Sequence, residues 1–184
     1  MIKVSLADKM PKIAWALILA CAVSSSLSFA QNASTLPQEI IVTFAQPGLS
    51  PLARATDLHQ SARLSREKRK PILLAFTLTQ CPYCAIVRQR YLATLDSDPR
   101  WHDKLIVLEL PLDAPALSHD FSGQSTTAAT LARRFDIKKV PTLLIFNDQG
   151  QALAPPLVGF NSEDFYGAYL EQLLETGLKK MRPE

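Results

Sequence analysis

The chain has 184 residues, enough for one ordinary domain and short for two. Apolar residues make up 47% and charged residues 20%, which excludes wholesale disorder, and six glycines and 13 prolines without a period exclude collagen-like or low-complexity architecture. Three cysteines are too few for a disulfide-stapled scaffold, so their role is local chemistry, and the formal charge of +3 must be corrected before it points to nucleic acid.

Lys3, Lys9 and Lys12 precede an apolar run from Ile13 to Val23, and Ser28-Phe29-Ala30 follows. A basic start, a short apolar stretch and a small-x-small site make residues 1–30 a secretory signal peptide. The run is shorter than the roughly 20 residues of a spanning helix, although an uncleaved anchor reaching Phe29 is a second reading. Ile18-Leu19-Ala20-Cys21 also resembles a lipobox, which would make the chain a lipoprotein anchored at Cys21. Cleavage after Ala30 removes three lysines and one aspartate and lowers the charge from +3 to +1. Nucleic-acid binding then loses its main support. A periplasmic or secreted location is expected, where the two remaining cysteines, Cys81 and Cys84, meet an oxidising environment.

Gln31–Pro37 reads as a polar tether and Glu39–Phe44 as a short strand of β-branched residues. Ser50-Pro51 looks like the cap and first turn of a helix running to about Lys70, with a basic end that suits the helix dipole. Pro71 stops it, and the apolar run Ile72–Leu78 suits a strand buried on both faces. Cys81-Pro82-Tyr83-Cys84 then opens a helical stretch that closes before Pro99, and Lys104–Leu110 is another buried strand. Asp113–Gly123 reads as a loop. Ser125–Phe135 reads as a helix capped by Ser125 or Thr126. Thr142–Phe146 and Ala152–Val158 flank the turn Asp148-Gln149-Gly150, and Asn161 or Ser162 caps a last helix. The order β-α-β-α-β-α-β-β-α calls for an α/β fold, a mixed sheet with helices on both faces.

The cysteine pair carries the chemistry. Two cysteines three residues apart at a helix start lie within disulfide reach. The first faces the unpaired N–H groups and positive end of the helix, which favour the thiolate that attacks disulfides. Cys81 is therefore the expected nucleophile and Cys84 the shielded resolving thiol, with Pro82 at a first-turn position that needs no N–H. A structural bridge or half a zinc site are the other readings. A bridge over three residues constrains little, and His59, His102 and His119 are too scattered to complete a zinc site and read as surface residues. No metal and no cofactor are expected.

A Cys-x-x-Cys after a buried strand, Val140-Pro141-Thr142 before a hairpin and Val158-Gly159 before the last helix stand in one order. On these three landmarks the chain resembles the thioredoxin superfamily from about residue 39 to 174, so residues 31–184 are read as one thioredoxin-like domain. The resemblance implies that the Val140–Pro141 peptide is cis and lies against the sulfurs, that the backbone there pairs with client chains, and that Tyr83 and Pro82 flank the site. Departures are equally plain. Ala75 stands where thioredoxins proper carry a strand acid, Gln80 where a Trp precedes the first cysteine, and Pro-Tyr where they carry Gly-Pro. Proton transfer is unassigned: Glu109, inside a buried-looking strand, is a candidate for a nearby acid, and an outward-facing sheet residue is the favoured reading.

The resemblance further implies an exported thiol–disulfide oxidoreductase acting on client proteins. No charged neighbour between the cysteines favours strong oxidation, so a reductase fed by a membrane electron-transfer partner is expected. The sequence carries no dinucleotide-binding signature, which suits a protein-to-protein relay. The alternatives are a disulfide oxidase or isomerase, or a maturation factor binding a soft metal through both sulfurs. No large apolar stripe calls for a second copy, so a monomer is expected.

Overall fold

The computed structural model describes residues 52–114 and 117–181. The expected signal peptide, the lipobox-like Cys21, the expected tether, the strand expected over Glu39–Phe44 and the cap expected at Ser50-Pro51 all lie outside the described residues.

Five strands form one mixed sheet in the order β1-β3-β2-β4-β5. These are β1 (Ala53–Arg54), β2 (Ile72–Thr77), β3 (Ile106–Pro111), β4 (Thr142–Phe146) and β5 (Leu157–Val158). β3 runs parallel to β1 and β2, while β4 is antiparallel to β2 and β5. All six side chains of β2 are buried, as its unbroken apolar run requires of a central strand covered on both faces.

Alternation along β2 divides the core into two layers. Ile72, Leu74 and Phe76 join Leu58 and Ala62 of helix α1 (Leu58–Lys68) and Leu131 of helix α3 (Ala128–Arg134). Leu73 and Ala75 face the other way, toward Val87 and toward Tyr166, Leu170 and Leu174 of helix α4 (Glu163–Met181). Between β2 and β3 the chain forms helix α2 (Pro82–Ile86), which continues as a π-helical segment, Val87–Leu92.

Several boundaries differ from those read in the sequence. The first described helix begins at Leu58, not at residue 50. Asp57 is its cap, accepting from the Gln60 N–H at 3.0 Å, while Ala53 and Arg54 pair with Leu108 and Glu109. The open edge of β3 draws this segment into the sheet, overriding its helical spacing. Helix α3 is capped by Thr127 rather than Ser125 or Thr126. Ser125 instead forms a bridge with His119, and the Thr126 N–H donates to Ser118 O at 3.0 Å. In the second hairpin arm only Leu157–Val158 is strand, with Ala152 in an isolated bridge to Phe146. Pro155 and Pro156, lacking N–H groups, interrupt the ladder between them. His119 is half-buried and lies 3.3 Å from an Asp57 carboxylate oxygen, so it is not the plain surface residue expected.

The largest correction is Glu109. Its side chain is buried, 4% exposed as a residue, and faces the α2 layer rather than solvent. It stands in register with Ala75 on β2, and registered neighbours share a face.

Candidate active site around Cys81 and Cys84

Strand β2 delivers the chain to the site, and the loop after it is anchored at Thr79. Its N–H donates to both carboxylate oxygens of Asp113 at 3.0 Å, and its hydroxyl donates to one of them at 2.9 Å. These bonds, the backbone one foremost, hold the Asp113 carboxyl below its ordinary value of 3.8 despite some desolvation.

Two residues later Cys81 caps helix α2 in an extended conformation. Its Sγ accepts from the Cys84 N–H at 3.1 Å, so the sulfur occupies the place of a capping oxygen. Pro82 takes the first helical position, where a missing N–H costs nothing. Cys81 and Cys84 are joined in a disulfide with a Cα–Cα distance of 5.2 Å. Their surroundings differ: Cys81 is half-buried and Cys84 fully buried. A reagent approaching from solvent meets Cys81 first.

Tyr83 points outward, 58% exposed. Its ring lies 6.0 Å from that of Phe160, which in turn lies 5.1 Å from Tyr166. Tyr91 completes the cluster, 4.8 Å from Tyr166. The Tyr166 hydroxyl has no hydrogen-bond partner among the described residues, and burial pushes its ionisation well above the ordinary phenol range.

The Phe76–Thr142 register brings the start of β4 to the end of β2. Pro141, one residue earlier, therefore sits at the same end of the sheet as the cysteine loop. It is buried, the Val140–Pro141 peptide is cis, and the Pro141 carbonyl accepts from the Gly159 N–H at 2.7 Å. Gly159 has φ +75°, a conformation that favours glycine. The Val140-Pro141 and Val158-Gly159 landmarks thus meet in one hydrogen bond.

Sequence reasoning missed the polar network beneath α2. Glu109 Oε1 accepts from the Thr77 hydroxyl at 2.7 Å, and Arg88 Nε donates to both Glu109 oxygens at 3.0 Å. The available signal was a single charged residue within the apolar run of β3, with an arginine one helical turn after Cys84. No group of three or more His, Cys, Asp and Glu side chains suited to hold a metal occurs among the described residues.

No curated protein matches the chain by sequence. Among solved structures it is similar to thioredoxin from Malassezia sympodialis, with 17% identity and a TM-score of 0.49, over 71% of this chain and 96% of that one. It is also similar to mitochondrial thioredoxin 3 from Saccharomyces cerevisiae, with 18% identity and a TM-score of 0.46, over 67% of this chain and 93% of that one. For thioredoxin from Schistosoma mansoni the figures are 18%, 0.46, 70% and 96%. The family model of the thioredoxin-like domain matches residues 58–174, from the start of α1 into α4, with the cysteine pair inside the match. On that match the chain belongs to the thioredoxin-like family, and its activity is thiol–disulfide oxidoreduction.

Proposed function

We propose that the chain reduces disulfides in client proteins, with Cys81 as nucleophile and Cys84 as resolving thiol. In the dithiol form the Cys81 thiolate attacks a client disulfide, forming a Cys81–client disulfide and releasing one client thiolate. Cys84 loses its proton and attacks Cys81 Sγ, which closes the Cys81–Cys84 disulfide and releases the second client thiolate. Two electrons from a partner protein's dithiol restore the starting form. The observation that carries this reading is the asymmetry of the pair, an accessible sulfur at the helix cap backed by a buried one. The helix end favours the thiolate at the first position.

Pro82 shapes the first turn, and Tyr83 offers clients an exposed ring beside the sulfurs. The Val140–Pro141 segment, at the same end of the sheet, receives the client backbone in extended form. The basic, apolar and small-residue pattern of residues 1–30 supports export to the periplasm, and a membrane electron donor follows from reduction in an oxidising compartment.

Equilibration with glutathione tests the direction of electron flow. A reduction potential near the thioredoxin value of roughly −270 mV agrees with the proposal, and one near −120 mV assigns the chain to disulfide formation instead.

A further inference from the structure

We propose that Arg88 and Glu109 are positioning residues whose ion pair, lying beneath the redox helix, sets the reduction potential of the Cys81–Cys84 couple by keeping the local charge balanced. The inference rests on the reading of these cysteines as a cycling couple and adds two residues to it.

Three observations carry it. First, the pair is sheltered, with the Glu109 side chain 5% exposed and that of Arg88 29%. Arg88 Nη2 adds a contact of 2.5 Å to the two Nε bonds, and Thr77 occupies a further site on Oε1. Second, the network is built on the elements that carry the sulfurs, the helical stretch that continues from Cys84 and the strand pair that leads into the cysteine loop. Arg88 follows Cys84 by four residues, about 6 Å along a helix axis. Glu109 stands in register with Ala75 on the strand that leads into the cysteine loop. Third, the helix changes form where Arg88 leaves it. The Ala93 N–H donates to Arg88 O at 2.9 Å, a five-residue step within the π-helical segment. Such widened turns concentrate at functional sites.

Stability alone does not explain this arrangement. Buried ion pairs often add nothing over apolar residues of similar size, whereas losing one partner strands the other charge. The consequence of interest is electrical. A unit charge roughly 10 Å from a thiolate, at an effective dielectric constant of about 20, shifts an equilibrium on the order of tenfold. Paired, the guanidinium and carboxylate largely cancel at the sulfurs. Unpaired, each would act with its own sign.

The test measures the equilibrium with glutathione for the wild type and for Glu109→Gln, Arg88→Met, Arg88→Lys and the double variant Arg88→Met/Glu109→Gln. Glu109→Gln leaves the Arg88 charge uncompensated and favours the thiolate. Its reduced form should gain about tenfold, a rise of about 30 mV in potential. Arg88→Met leaves the carboxylate uncompensated and should shift the equilibrium by a similar factor in the opposite direction. The double variant should return to within about threefold of the wild type, and Arg88→Lys should stay there as well. A purely structural role would lower the unfolding midpoint in each variant without opposite shifts in the redox equilibrium.

Single variants that leave the equilibrium within about twofold of the wild type, or move it in one direction, overturn the proposal while leaving the redox reading intact. If Arg88→Met does not fold, Glu109→Gln against the double variant decides the matter by the same signs. A wild-type protein without a reversible dithiol–disulfide equilibrium overturns the redox reading, and this proposal with it.

Discussion

The backbone N–H of Cys84 donates to the Sγ of Cys81 at 3.1 Å, so each cysteine has a distinct part in one turn of chain. The first sulfur is held at the helix mouth and the second is buried behind it. Replacing the buried sulfur should stop the reaction at the mixed disulfide. Cys84→Ser should accumulate covalent complexes with client proteins that are resolved by dithiothreitol, while Cys81→Ser should accumulate none. Non-reducing gel electrophoresis distinguishes the outcomes, and the reverse pattern would exchange the two roles.

Helix α4 holds the sheet layer beneath the site, and two of its glycines should respond oppositely to the same substitution. A Cβ on Gly177 would stand 2.8 and 2.9 Å from Ile145 Cγ1 and Cγ2. Overpacking of that kind costs about 1–3 kcal/mol, which outweighs a helix-propensity gain of about 1 kcal/mol. At Gly167 the nearest atom is Tyr91 Cε1, an ordinary contact at 3.8 Å. Thermal unfolding should therefore show a lower midpoint for Gly177→Ala and an unchanged or higher one for Gly167→Ala.

Asp113 ties the loop before Cys81 to the end of β3 through Thr79. The Thr79 N–H, opposed by desolvation and aided by the Thr79 hydroxyl, depresses its folded carboxyl value below 3.8. A depressed carboxylate contributes stability that is complete above its unfolded value and disappears as pH falls through the folded one. The stability advantage of the wild type over Asp113→Asn should therefore be constant from neutral pH down to about 4 and shrink below that. Denaturant unfolding across this range checks it. An advantage that persists unchanged into strong acid would mean that the Asp113 charge does not hold the loop.

Much of this architecture is legible in the sequence, because its central elements carry local signals. The run Thr142–Phe146 is strand β4 to the residue, and Ile72–Thr77 is the central strand. Cys81-Pro82 marks a helix start because a capping side chain followed by proline has few other uses. The misplaced features depend on partners distant in sequence. Ala53–Arg54 is strand only because β3 offers it an open edge, and its apolar spacing does not announce that. Glu109 is explained only once the fold brings Thr77 from the neighbouring strand and Arg88 from the helical segment to its carboxylate. The Phe160 cluster likewise draws Tyr83, Tyr91 and Tyr166 from three segments.

For Cys81 to act as the nucleophile, its sulfur must be both ionised and reachable while that of Cys84 is neither. Timed alkylation of the fully reduced protein with limiting iodoacetamide at pH 7, followed by peptide mapping, tests it directly. Cys81 should react at least about tenfold faster than Cys84. Equal labelling of the two positions, or Cys84 reacting first, would contradict it.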